Sequence, residues 1–410
     1  MVTMPASIHA PVADEFNAHY HVGAIAGSLT TGMYLLGVGV GGMFVAPFSE
    51  TFGRNVVYLA TLVLFMLCLM AKALAPNYGS AILFRFITGC FGAAPMTVAG
   101  GAITDLWYPV QIPIAFPVLA MTSFAGPLIG PIVGAYIPNI GFRWADIVSL
   151  LGTALVTIVV LLFLPETYAP ILLPPSHLDV DLPANLTRPF VLAREPIVLV
   201  FSFYLTLVFI VLFTFLNGFP FIFQDVHGIS EPMTFTVWAA LLLGDCLAIP
   251  TIPLIYKRIK QAAANADAKG QHLQPEVCLY FAMLGGSVLM PASLFWIGWT
   301  CYPDISIWVS IVGVCVFGYS VVMIFTTCYL YIIFTYLQNA GSALSFMTFS
   351  RYVVSGALIP ASVPMYRNLG PHWSLTWVGI LASVMAPVPF LLFRYGPTIR
   401  AVSKFAKNKT

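Results

Sequence analysis

Eleven apolar runs, at roughly 22–46, 56–75, 80–104, 112–136, 147–164, 197–223, 234–256, 277–299, 306–330, 342–363 and 373–394, constrain this chain more than anything else in it. Each approaches the ~20 apolar residues that a helix needs to cross a ~30 Å hydrocarbon core. Charge is correspondingly scarce: 8% of the 410 residues are Asp, Glu, Lys or Arg, against 60% hydrophobic. A soluble chain averages about 25% charged, so these few charges could not cover a water-facing surface of this size. Transmembrane barrel strands alternate in short segments, and these runs are unbroken. The expectation is an all-α integral membrane bundle.

Met1 to Ala13 precede the runs and lead into Asp14-Glu15. As a helix this stub rises only about 20 Å, so it reads as the outer half of a first span. Taking it as span 1 and the runs as spans 2–12, the chain has eleven full spans plus a stub. Either an internal initiating Met or a natural truncation would account for that. The Pro-rich segment Pro165 to Pro196 splits the runs evenly. The expected organisation is an N-terminal half (1–164), a central linker (165–196), a C-terminal half (197–394) and a tail (395–410). Ala46-Pro47-Phe48 before Arg54 echoes Ile252-Pro253-Leu254 before Lys257-Arg258, and parallel six-helix repeats occur in secondary transporters.

Basic loop residues set the orientation. One side carries Arg54, Arg188, Arg194, Lys257, Arg258, Lys260, Lys269, Arg394, Arg400, Lys404, Lys407 and Lys409; the other carries Lys72, Arg143 and Arg367. The C-terminus is therefore expected in the cytosol, leaving the acceptors Asn185-Leu186-Thr187 and Asn408-Lys409-Thr410 unglycosylated on that side. Net charge is +2, which gives no reason to expect a nucleic-acid partner. The seven Cys show no zinc or disulfide spacing, and no His cluster, Ser-His-Asp set or cofactor loop marks an enzyme, a metal site or a bound cofactor.

Two segments carry motifs. In Pro47-Phe48-Ser49-Glu50-Thr51-Phe52-Gly53-Arg54, a helical turn would put Glu50 and Arg54 on one face, Gly53 permits the turn, and Asp105 offers a second carboxylate from the same side. An ordinary solvated loop with a charge pair is the plainer alternative. In span 5, Gly126, Gly130 and Gly134 have the spacing that lets helix backbones touch, and Pro127 and Pro131 each remove a helical hydrogen bond.

These segments resemble the major facilitator superfamily, in particular its fungal drug:proton antiporter branch with twelve helices. Ser49-Glu50…Gly53-Arg54 resembles the branch's loop between helices 2 and 3. Arg85 in Leu83-Phe84-Arg85-Phe86 resembles its fourth-helix arginine, and Gly126 to Gly134 its antiporter motif. Pro165-Glu166-Thr167-Tyr168, Glu195-Pro196-Ile197-Val198, Ser342-Ala343-Leu344, Arg351 and Tyr395-Gly396…Ile399-Arg400 agree as well. The resemblance implies a bundle of two six-helix halves. It implies a latch at Glu50, Gly53, Arg54 and Asp105, and a half-to-half interface at span 5. It also implies proton-driven export of a drug or secondary metabolite.

The chain departs from the family where Ile112-Pro113 replaces an Arg-Gly pair. Phe334, in Tyr331-Ile332-Ile333-Phe334-Thr335-Tyr336, stands at a usual acid, and so does Asn217 before Gly218-Phe219-Pro220. The ionisable residues read as lying at depth are then Arg85, Asp245 and Arg351, and such charges mark function by default. An Asp245–Arg351 pair would couple protons or simply stabilise the fold. Lys72 is expected to snorkel outward. Asn217, Phe219, Tyr331 and Phe334 are the candidate cavity residues. The expected protein is a monomeric plasma- or vacuolar-membrane exporter of a hydrophobic small molecule, energised by protons without a cofactor. The alternatives are a carrier for uptake or facilitated diffusion of a polar metabolite, or a non-transporting truncated membrane protein.

Overall fold

Lipid offers backbone groups no hydrogen bonds, so a spanning chain must satisfy them within its own helices. In the computed structural model, which describes residues 1–137, 141–167, 182–268, 270, 273–337, 340–403, 405 and 406, every regular element is helical. Tyr168, Lys269, Lys404, Lys407 and the acceptor Asn408-Lys409-Thr410 lie outside the described residues. Spans 2 to 10 are Ala24–Phe52, Arg54–Ala73, Tyr78–Leu106, Ile112–Gly134, Trp144–Phe163, Pro196–Asn217, Glu231–Ala266, Pro275–Thr300 and Ile307–Tyr336.

Spans 11 and 12 share one helical stretch, Ala340–Ala401. Straight, its 62 residues would run roughly 93 Å, about three times the hydrocarbon core. The chain turns at Gly370, whose φ of 71° belongs to the left-handed region and is open to glycine without a Cβ penalty. Before the turn, Asn217 Nδ2 donates to Ser362 Oγ at 3.1 Å and ties span 11 to span 7. After it, Leu375 packs on Gly298 and Phe295 on Gly379, an antiparallel match to span 9. The eleven full spans of the sequence reading are thus present.

Span 1 departs from the half-helix expected of it. Met4–Ala6 is a single 3-10 turn, followed by tight turns and the short helix Ala13–Tyr20. Met4, Ile8, Val12 and Phe16 are buried, whereas Asp14 and Glu15 are exposed. The reason lies in span 5. A Cβ on Gly130 would stand 2.9 Å from Met4 O, and one on Gly134 would stand 2.4 Å from Ile8 O. The glycine face is a groove that seats a non-helical strip of backbone. Pro131 lacks an N–H, which frees the Pro127 carbonyl, and Ser7 Oγ donates to that carbonyl at 2.5 Å.

Glycine also sets the crossings inside each half. A Cβ on Gly37 would meet Phe86 O at 2.1 Å, and one on Gly244 would meet Cys315 O at 2.0 Å. Spans 2 and 4, and spans 8 and 10, therefore touch backbone to backbone in the same way. Between the halves, Gly32 of span 2 meets Gly356 of span 11. Span 5 packs on spans 8 and 10, meeting span 10 through Phe124 against Phe325, while its glycines face span 1.

Candidate functional site

A cavity of about 740 Å³, counting its open mouth, lies between the halves. Thr3, Ala6, Tyr34, Phe124 and Leu128 contribute from the N-terminal half, and Phe209, Phe213, Asp245, Phe325 and Tyr352 from the C-terminal half. Phe124 meets Phe325 edge-on at 5.0 Å, closing the wall between span 5 and span 10. Among the described residues the lining is mostly aromatic and aliphatic, with Thr3, Ser123 and one carboxylate in it. Asp245 is 3% exposed and its Oδ2 has no hydrogen-bond partner among the described residues.

The four cavity residues expected from sequence lie elsewhere. Asn217 bonds Ser362 at the end of span 7, and Phe219 is fully buried against Phe215, Phe223 and Trp238. Tyr331 donates to Glu276 Oε1 at 3.3 Å near the end of span 10, and Phe334 is buried beside it in sequence. All four sit toward span ends, whereas the cavity is walled by residues nearer the span centres.

Arg351 does not pair with Asp245. Its Nη1 donates to Tyr329 Oη at 2.5 Å, and the guanidinium lies 4.7–5.2 Å from the rings of Phe209, Phe325, Tyr329 and Tyr352. Cation–π attraction can hold a desolvated guanidinium, so the cage takes the place of a counter-ion. Arg85, fully buried, lies over the Tyr34 ring and donates to the carbonyls of Pro5 and Thr30. It anchors span 1 rather than meeting an acid.

At the Arg54 end, Arg54 Nε donates to Asp105 Oδ2 at 3.1 Å and Nη1 to Ser49 Oγ at 2.7 Å. Gly53, at φ 99°, makes the turn. Glu50 reaches the start of span 11, its Oε1 3.0 Å from where a side chain on Gly341 would begin. Glu166 was noted in sequence only as part of a motif. Its carboxylate accepts from the N–H groups of Arg54 and Asn55 at 3.0 Å each, capping span 3 where a helix end favours negative charge. The C-terminal half has a counterpart: Arg400, counted as a loop residue in sequence, is buried and donates to Glu276 Oε2 at 3.1 Å.

Lys72 does not snorkel. It is 3% exposed and donates to Asp146 Oδ2 at 2.5 Å, with His9 Nε2 2.8 Å from both its Nζ and Asp146 Oδ1. Asp146 and Glu276 were missed because each lies just outside an apolar run, while the helices themselves begin earlier, at Trp144 and Pro275.

The Major Facilitator Superfamily profile matches residues 1–360. The chain belongs to this family. Among its relatives, the MFS-type transporter kojT of Aspergillus flavus is 41% identical over 98% of this chain and 76% of its own length. The major facilitator superfamily multidrug transporter mdrA of Aspergillus fumigatus is 31% identical over 99% of this chain and 70% of its own. Among solved structures, the proton:xylose symporter XylE superposes with a TM-score of 0.66 at 13% identity, over 96% of this chain and 92% of that one. The human organic anion transporter MFSD10 superposes at 0.59 and 18% identity, over 94% and 89%. The superpositions identify the fold alone. Family and relatives are transporters rather than enzymes, so this facilitator-fold chain is a multi-pass membrane transporter.

Proposed function

We propose that this transporter exports a hydrophobic small molecule by alternating access, driven by protons moving the opposite way. The observation that carries the reading is the cavity: both halves line it, its walls are aromatic and aliphatic, and its one carboxylate is Asp245. Rocking residues 1–164 against 197–394 opens such a space to one side at a time. A polar metabolite would leave most of this lining without a use, so the uptake carrier is the poorer fit. The relation to mdrA, a multidrug transporter, agrees with export of apolar compounds.

In this reading Asp245 takes up the proton or the polar end of the ligand, because an unpartnered carboxylate in an apolar wall gains most from either. The Arg54–Asp105 pair with Glu50 at Gly341 latches the halves at one end, taken as cytosolic from the basic loops. The protein works as a monomer in the plasma or vacuolar membrane, with the proton gradient as its energy source. Cells lacking their own efflux pumps, loaded with a fluorescent apolar dye, test this. Expression should speed dye loss, and a protonophore should cancel the gain. Dye retention equal to that of empty-vector cells would overturn the reading.

A further inference from the structure

The His9–Lys72–Asp146 cluster is not used by this mechanism. It lies at the opposite end of span 3 from Arg54, a full span away, and joins span 1 to spans 3 and 6. All three side chains are buried, at 5%, 3% and 1% exposure.

Its geometry contains a conflict. His9 Nε2 stands 2.8 Å from Asp146 Oδ1 and 2.8 Å from Lys72 Nζ, while Nδ1 is 3.5 Å from the same Nζ. One ring nitrogen cannot serve both neighbours. Carrying a proton, Nε2 donates to the carboxylate and opposes the ammonium; bare, it accepts from the ammonium and opposes the carboxylate. The arrangement therefore has two hydrogen-bonding states that differ by where a proton sits.

The other charges around it resist a second ring proton. Arg85 of span 4 acts on His9 and on Asp146 through space. Span 5 has no charged residue, and span 2 has only Glu50, at its far end. An imidazolium would thus set three cations against one carboxylate in a dry site, where a poorly compensated charge is costly. Span 1 can relay the strain. Thr3 and Ala6 line the cavity, Pro5 O holds Arg85, and Ser7 holds Pro127, all within two turns of His9. Tyr20 is tied to Ala75 O and Tyr34 to Val2 O, so the rest of the strip is anchored by neutral groups.

We propose that His9, Lys72 and Asp146 form a proton-binding site distinct from Asp245, and that its occupancy sets how span 1 seats in the glycine groove and shapes the cavity wall. Its use in transport rests on the proton-driven reading above; the proton site itself does not.

The experiment is alkylation of a Thr3→Cys reporter by a water-soluble maleimide in nanodiscs, each rate being taken relative to that of free cysteine at the same pH, because only the thiolate reacts. Cys246 is exposed and Cys68, Cys90 and Cys315 are partly so, hence all four are first replaced by Ala. Between about pH 4 and about pH 8.5, a range that reaches below that of an ordinary histidine because the site resists the imidazolium, the relative labelling rate should change by roughly tenfold. His9→Gln, and separately Asp146→Asn, should flatten that dependence to less than about twofold. A pH-independent rate in the reporter protein overturns the proposal without any further variant, and so does a titration that persists in His9→Gln. Proteoliposomes of the wild-type protein separate the two readings. Absence of gradient-driven accumulation, with labelling that still titrates through His9, would sink proton-driven export and leave the proton site standing.

Discussion

Each half of the bundle buries one arginine almost completely, Arg85 and Arg351, and the two are held differently. Arg85 is fixed by backbone carbonyls of Pro5 and Thr30, next to an ion cluster that locks spans 1, 3 and 6. Arg351 is held by four rings and one phenol, three of whose rings also face the cavity. The N-terminal half buries Arg85 and the His9–Lys72–Asp146 cluster within its own assembly, toward the end away from Arg54. Among the described residues Asp245 has no ion pair at the cavity wall, and Arg351 sits just behind the rings. Similar crossings of spans 2 with 4 and 8 with 10 thus frame two unlike polar interiors.

The largest test of that contrast is Asp146→Asn, which strands Lys72 in the dry cluster. Breaking a buried pair from one side costs about 3–5 kcal/mol, so a clear drop in thermal stability and membrane yield is expected. Asp146→Asn with Lys72→Met should recover much of it, since neither charge remains. If the single variant melts with the wild type, the cluster does not hold the N-terminal half together.

Gly130→Leu comes next. Overpacking costs about 1–3 kcal/mol, and here it falls on the seat of span 1, so export should fail while membrane insertion stays normal. Wild-type dye export would mean that filling the groove has no consequence for the cavity.

Arg54→Ala should loosen the end held by Asp105, Ser49 and Glu50. A population shift of roughly tenfold toward the state open at that end should appear as faster labelling of cysteines placed along spans 2 and 11. Unchanged labelling and transport would remove the latch. The smallest effect is expected from Ser7→Ala, which leaves the Pro127 carbonyl unpaired at about 1 kcal/mol. A scan that resolves no shift would show that the carbonyl finds another donor.

The helices were legible in the sequence because apolar length is a local property: a run near twenty residues can do little but span. Gly53-Arg54 and the glycine spacing of span 5 were legible too, since both are short-range patterns. What those glycines touch was not. The spacing suited the other half, yet Ser7 and Met4, more than a hundred residues away in sequence, fill the groove. Lys72 looked like an interfacial residue because its partners come from residues 9 and 146. The cavity was misplaced for a similar reason. Aromatic residues are everywhere in this chain, and which of them face inward is set by how the spans rotate against each other. Phe219 and Phe213 are six residues apart in one region, and only Phe213 lines the cavity.

The central claim, that protons drive export through a cavity whose acid is Asp245, is tested most directly in proteoliposomes carrying a fluorescent apolar dye under an imposed pH gradient. Wild-type protein should accumulate the dye against its own gradient. Asp245→Asn should carry it only down that gradient, with no response when the pH gradient is reversed or collapsed. Accumulation by Asp245→Asn at the wild-type rate would contradict the account.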